Sequence, residues 1–322
     1  MSGKLVISLD FELQYGIEDF SEESLKHYQE TILGGRKAIP ELLKLFSDHH
    51  LHATWAMVGM IASENKEELQ AYCPAVRPGY TSPMSIYEHP DRLGESEETD
   101  PFHYGSSLIR QILAVEGQEI GSHTFSHYYT QANGQTRDQF LSDLKAAQHI
   151  NNDKIGYPPL SLVLPRNQVN PDYIDTIQEA GFKAFRGCQK GFVFNTPSTS
   201  YIVRGLRLLD TYFPVFGKQT YPISEIMQNG LANIRASIFY RPYNARLSFL
   251  EQNKLSIIKT SMEYAAKHDE VFHLWWHPHN LGSHTTENFA NLKQIFDYYE
   301  ELHERYGMES CNMKELYEEI AQ

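Results

Sequence analysis

The segment Ser8-Leu9-Asp10-Phe11-Glu12 sets two carboxylates two positions apart, directly after the apolar run Leu5 to Leu9. If that run is a strand, its two-residue period sends Asp10 and Glu12 to the same side of the strand end. Two acids placed there can divide labour, one holding a cation while the other accepts a proton, or they can simply be a solvated strand end. Gly121-Ser122-His123-Thr124-Phe125-Ser126-His127 sets two imidazoles four positions apart, and one helical turn would bring them to a common face as a metal clamp. With 15 His in 322 residues this spacing also arises by chance, and His273 and His277 show it too. What favours His123 and His127 is their setting, a short strand-to-helix junction just after an isolated glycine and among hydroxyl residues.

Phe272-His273-Leu274-Trp275-Trp276-His277-Pro278-His279 is a β-rich run that ends in a proline, which cannot donate to a ladder and so leaves His277 at a strand end. His273 reads equally well as a satisfied core residue beside two Trp. Pro165-Arg166-Asn167 follows another apolar run, so Arg166 is either an ordinary surface residue or the ion partner of an active-site carboxylate. Arg241-Pro242-Tyr243 is a further candidate substrate contact.

The elements that must position these groups alternate from the first residue. Leu5 to Leu9 reads as a strand. Ile39, Leu42, Leu43 and Phe46 give 35 to 49 the spacing of an amphipathic helix, and Leu51 to Val58 is a second strand. Helices follow over 106 to 115 and 137 to 150, a strand over 160 to 164, a helix over 172 to 180 begun by Pro171, and a strand over 182 to 185. The stretch 186 to 222 reads as irregular. A helix over 255 to 267, a strand over 271 to 276 and helices over 286 to 304 and 313 to 321 close the chain. Such alternation predicts repeated βα units around a parallel sheet or barrel. Between Tyr72 and Tyr104 the pattern fails: five prolines and an acidic stretch from Glu95 to Asp100 read as an elaborated loop, of the kind that often shapes a binding mouth.

Composition narrows the partners. The formal charge is -13, and no Lys/Arg stripe is available to track phosphates, so nucleic acid is excluded as an expected partner and a polyanionic substrate is disfavoured. No run of 18 apolar residues suggests a membrane span, although peripheral contact with a lipid-linked substrate stays open. The apolar run near the N-terminus is short for a secretion signal, and three scattered cysteines suit reduced thiols, so the expected location is cytoplasmic.

Taken in order, the motif at Asp10, the strand His52-Ala53-Thr54-Trp55, His123-x-x-x-His127 and His277-Pro278 resemble the polysaccharide deacetylase family, the carbohydrate esterases that share the nodulation-protein B homology domain. The likeness spans most of residues 4 to 282. It implies an α/β fold, a distorted (β/α)7 barrel in one catalytic domain over 1–322, with the barrel at about 4–285 and C-terminal helices over 286–322. It implies a divalent metal, zinc before cobalt or nickel, held by two histidines and one carboxylate: His123, His127 and Glu12. In the family's commonest form the metal carboxylate directly follows the catalytic Asp, a slot that is Phe11 here; in the Asp-x-Glu branch the ligand is Glu12. By the same resemblance Asp10 is the base, Arg166 orients it, and His277 is the acid. His279 stands where relatives often carry a carboxylate that holds the catalytic histidine. The expected activity is removal of an N-acetyl or N-formyl group from an amino sugar in a nucleotide- or lipid-linked precursor of a surface polysaccharide. A sugar O-acetyl esterase, a non-sugar amide hydrolase and an inactive glycan-binding barrel are the alternatives.

Overall fold

A computed structural model describes residues 2–195 and 201–322 of the chain. Its sheet contains β1 (Lys4–Phe11), β2 (Ala53–Met57), β3 (Gln118–Ser122), β4 (Ser161–Val163), β5 (Ala184–Arg186), β6 (Tyr221–Pro222), β7 (Met227–Gln228), β8 (Leu231–Asn233), β9 (Ile238–Phe239), β10 (Glu270–Trp276) and β11 (Glu309–Cys311). The helices are α1 (Glu22–Asp48), α2 (Lys66–Tyr72), α3 (Ser106–Leu113), α4 (Arg137–Ile155), α5 (Ile174–Glu179), α6 (Phe192–Asn195), α7 (Tyr201–Tyr212), α8 (Glu251–His268), α9 (Thr285–Tyr306) and α10 (Met313–Ile320).

The central strands run parallel in the order β10-β1-β2-β3-β4-β5-β8. A parallel sheet is covered on both faces, which explains why β1 is a nearly unbroken apolar run buried at every position. The chain from 231 to 240 serves both ends of the sheet. The N–H groups of Ile234 and Ala236 donate to Phe185 and Gly187 beside β5, and those of Ser237 and Tyr240 donate to His273 and Trp275 of β10. The sheet thereby curls, in keeping with the distorted barrel that the resemblance implies.

The main core lies between the sheet and α1, α8 and α9. Leu42, Phe46, Trp55, Trp276 and Phe296 are fully buried there, and Phe46 meets both tryptophans edge-on. Such aromatic contacts add about 0.5–1.5 kcal/mol each beyond the area they bury.

Several elements differ from the sequence expectation. Helix α1 begins at Glu22 rather than 35, because Ser21 caps it by accepting the Ser24 N–H and two glutamates occupy its first turn. Strand β11 was not foreseen; it is three residues long and pairs with Lys4–Val6, while β2 pairs with Ser8–Phe11 higher on the same edge. Within 186–222, read as irregular, the structure forms α6, α7 and β6; residues 196–200 of that stretch lie outside the described residues.

The loop at 72–104 is irregular apart from two short 3-10 turns, but it packs on the flank of the barrel. Arg36 of α1 donates to the carbonyls of Pro101 and Tyr104 (3.1 and 2.9 Å), and the Tyr80 hydroxyl accepts from the Tyr129 N–H at 2.8 Å.

Candidate active site

Asp10 and Glu12 leave the carboxyl end of β1 together, as the two-residue period requires, and both are buried. The imidazoles meet Glu12 by a different route from the helical turn expected of them. Residues 123–129 form a loop after β3 in which Thr124 and His127 adopt left-handed backbone, φ 66° and 58°. That conformation is uncommon for side-chain-bearing residues and persists where the surroundings impose it. Asp143 of α4 imposes it here: its buried carboxylate accepts the Phe125 and Ser126 N–H groups (2.8 and 3.2 Å) and the Ser126 hydroxyl. Thr124 Oγ1 accepts the Tyr128 N–H at 2.7 Å. Burial pushes the Asp143 carboxyl up to about 6, against the pull of these donors.

Glu12 Oε2 lies 3.1 Å from His127 Nε2 and 3.4 Å from His123 Nε2. Metal–ligand bonds of about 2.1 Å meeting at tetrahedral angles separate ligand atoms by about 3.4 Å, so these spacings suit a single ion. The donor chemistry fits as well. Both ring nitrogens of His123 are buried without a hydrogen-bond partner, as is His127 Nδ1. Burial holds His127 down to about 4, which keeps its lone pair free for a ligand bond. Burial alone would raise the Glu12 carboxyl, but His277, His123 and His127 outweigh it and hold the group well below the usual range, as an anion. His49, Asp297 and Glu300 form a second three-residue grouping, yet there the Leu45 carbonyl and Asp297 occupy both imidazole nitrogens, at 3.0 Å each.

His277 follows β10, with Nε2 3.5 Å from Glu12 Oε1 and 3.7 Å from Asp10 Oδ2. The expected neighbours Asp10, Glu12, His123, His127 and His277 thus converge on one end of the barrel. Arg166 does not join Asp10. It is exposed, donates to the Gly16 carbonyl at 3.0 Å, lies 3.4 Å from Asp19 and sits over the Tyr129 ring. The contact sought for it is made by Arg186, at the end of β5. The fully buried Arg186 guanidinium grips both Asp10 oxygens at 2.6 and 2.8 Å. Its remaining donors go to Asn167 Oδ1 and Ser8 Oγ, and its face lies 4.1 Å from the Trp275 ring centre. Burial raises the Asp10 carboxyl, and Arg186, followed by His123 and His277, more than reverses that. Arg186 was legible as the residue that ends a strand, the position from which Asp10 and His277 were chosen, but the arginine beside Pro165 drew the assignment away.

His273 is a satisfied core residue, bonded to Ser8 Oγ and the Ile234 carbonyl. His279, in the place of a carboxylate, contacts the Tyr28 hydroxyl at 3.0 Å; burial first and His277 second hold it near 3, so it is neutral.

Above these groups opens a cavity of about 930 Å³, lined by Asp10, Glu12, His127, Trp275 and His277 and by residues of α7, β9 and α8. No residue of 72–104 lines it. The expectation that this loop shapes the mouth is therefore corrected: beyond the acid–imidazole cluster, the lining comes from 16–20, Gln131, 166–171 and 188–258.

A curled parallel sheet with an acid–imidazole cluster at its carboxyl end is a barrel of the deacetylase type. The polysaccharide deacetylase family model matches residues 33–185. The fold is similar to a Mycobacterium smegmatis protein described as a polysaccharide deacetylase (TM-score 0.59, 12% identity, 100% of this chain and 91% of that one). It is also similar to one from Pseudomonas aeruginosa PAO1 with the same description (0.56, 11%, 98% and 89%) and to the Puue allantoinase (0.56, 13%, 98% and 89%). A comparison with curated proteins gives no match. The resemblance read from the motifs is thus shown: residues 33–185 match the polysaccharide deacetylase family model, and the chain carries the fold of these structures.

Proposed function

We propose that the chain is a metal-dependent hydrolase that removes an N-acyl group, acetyl or formyl, from an amino sugar held in a nucleotide- or lipid-linked precursor of a surface polysaccharide, acting in the cytoplasm. The observation that carries this reading is the meeting of Glu12 with His123 and His127 across more than a hundred residues of chain. These three would hold the ion, with zinc the best match to two imidazoles and one carboxylate and cobalt or nickel next. When bound, such an ion lowers the pKa of a water and polarises the acyl carbonyl.

The chain's own groups supply the proton transfers. Asp10 is fixed by two Arg186 hydrogen bonds yet keeps lone pairs toward the cavity, so it is set to accept a proton from the attacking water. His277 faces the same space with its side chain partly exposed, and it delivers a proton to the departing nitrogen. A positioned acid of this kind contributes about 10²–10⁴ in rate. Arg186 acts through Asp10, as a positioning residue, in the part the resemblance gave to Arg166.

The test is incubation of the purified chain, loaded in turn with zinc, cobalt or nickel, with a panel of N-acylated amino sugars while free amine is measured. Amine release that needs the metal is the expected result; none with any metal across the panel overturns the reading. A second reading, hydrolysis of a non-sugar amide, draws support from the shared fold of the Puue allantoinase. Turnover of non-sugar amides with none of the sugar substrates would favour it, and turnover of matched sugar esters alone would favour an O-acetyl esterase. A metal-free chain that binds glycan without turnover would instead indicate an inactive barrel.

A further inference from the structure

The net charge of -13 disfavours an anionic substrate, but the cavity that opens on the candidate metal site also carries basic side chains in its lining. Arg204 and Arg207 come from α7, Arg241 from the chain after β9, and Lys254 from α8. Lys254 is neutralised by Glu251 at 2.7 Å, and Asp210, the acid of α7, turns to the Phe216 N–H at 2.9 Å. Arg241 is different. It is half-buried, its Nε donates to Thr211 Oγ1 at 3.1 Å, and among the described residues no carboxylate lies within ion-pair distance of it. Arg207 is held from behind by the Val193 carbonyl at 2.9 and 2.6 Å. Thr211, which accepts from Arg241, stands one turn beyond Arg207 on α7, so the two guanidinium groups are neighbours; burial lowers Arg241 from its ordinary value, Tyr212 opposes this, and Arg207 lowers it further.

The position of Arg241 relative to the chemistry is fixed by Phe239. Its ring centre is 5.8 Å from Arg241 Cζ and 5.9 Å from the His277 ring. Arg241 therefore lies within about 12 Å of His277, a span that one sugar ring and its phosphate can bridge. We propose that Arg241 and Arg207 form a phosphate subsite, so that the substrate is an acylamino sugar carrying a phosphate or diphosphate on the side away from its acyl group.

Two neighbouring guanidinium groups lining one cavity favour a multiply charged, oxygen-rich anion, and arginine meets phosphate through paired, charge-assisted hydrogen bonds. A nucleotide diphosphate and a polyprenyl phosphate present the same phosphate to these groups. The inference rests on the hydrolase reading for the sugar, while the subsite itself can be tested without turnover.

Binding of inorganic pyrophosphate to the full chain is measured by calorimetry for the wild type, His127→Ala, Arg241→Gln, Arg241→Lys and Arg207→Gln, with thermal melts to verify folding. Wild type and His127→Ala are expected to bind alike, since the anion does not sit on the metal. Arg241→Gln is expected to weaken binding by about 10-fold or more, with Arg241→Lys intermediate and Arg207→Gln also weakened. Equal affinity in folded Arg241→Gln and Arg207→Gln, loss of binding in His127→Ala, or no binding by wild type each overturns the subsite. Should Arg241→Gln not fold, Arg207→Gln and Arg241→Lys decide. UDP and a short polyprenyl phosphate in detergent micelles form the second arm: whichever binds more tightly than pyrophosphate, in an Arg241-dependent way, identifies the source of the phosphate. An amine-release assay that fails while this binding persists would remove the hydrolase reading and leave the subsite standing.

Discussion

The acid–imidazole cluster and the basic groups that share its cavity are built differently. In the first, Asp10, Glu12, His123, His127 and Arg186 are buried, come from the ends of β1, β3 and β5, and are clamped by Asp143, Asn167 and Ser8. In the second, Arg204 is exposed, Arg207 and Arg241 are half-buried, and the supporting helix α7 exposes Ile202, Leu208 and Leu209. Rigid burial suits groups that must hold fixed charges and lone pairs at set distances, because low dielectric strengthens each interaction and penalises any group left unpaired. A more open setting suits recognition, in which the partner brings its own charge.

The sharpest way to break the contrast is to remove a ligand from the buried cluster. His127→Ala should abolish metal content measured by elemental analysis, an effect beyond the about 10–100-fold carried by groups that only orient ligands. Amine release should vanish with it. Arg186→Met comes next: it strands a buried Asp10 carboxylate and should cost about 3–5 kcal/mol in a urea titration. The matched change Arg166→Gln, in an exposed pair with Asp19, should cost under about 1 kcal/mol. Equal losses would contradict the assignment of the aspartate's partner.

A subtler probe is Gly16→Ala. Gly16 has φ +98°, and a Cβ there would stand 2.4 Å from His127 Cε1. The imidazole must move, so metal affinity from a chelator titration should fall about 10–100-fold while the basic groups keep their places.

The smallest effect is spread over pH. His273 and His279 are held near 3 by burial, far below an unfolded value of about 6.5. Unfolding therefore takes up protons that the native state refuses: the contribution is complete above pH 6.5 and is lost as pH falls toward 3. Two such groups give a slope of up to about 2.7 kcal/mol per pH unit. Urea midpoints at pH 6.5 and 5 measure it, and a His279→Gln variant should lower the slope by up to about 1.4 kcal/mol per pH unit. His127, held at about 4, adds to this slope, while Asp143, raised to about 6, and Glu18, raised to about 7, work in the opposite direction.

Much of the buried cluster was legible because strand ends announce themselves. An apolar run followed by Asp-x-Glu, or by Trp-Trp-His-Pro, has a short period and a definite stop, and both are local properties. The pairing of Asp10 with Arg186 was not legible. Arg166 and Arg186 both follow strands, and only the curl of the sheet decides that the second faces inward. The helical turn expected for His123 and His127 failed for a similar reason: Asp143, sixteen residues beyond His127, holds the loop in left-handed backbone that local spacing cannot encode.

Sequence alone determined the alternating strands and helices, the core face of each and the carboxylates and imidazoles that leave the strand ends, because side-chain periodicity and proline stops act over a few residues. Tertiary structure decided which arginine meets Asp10, which loops border the cavity and where positive charge gathers in an acidic chain. Those outcomes depend on distances between segments far apart in the chain, and such distances exist only once the sheet has curled.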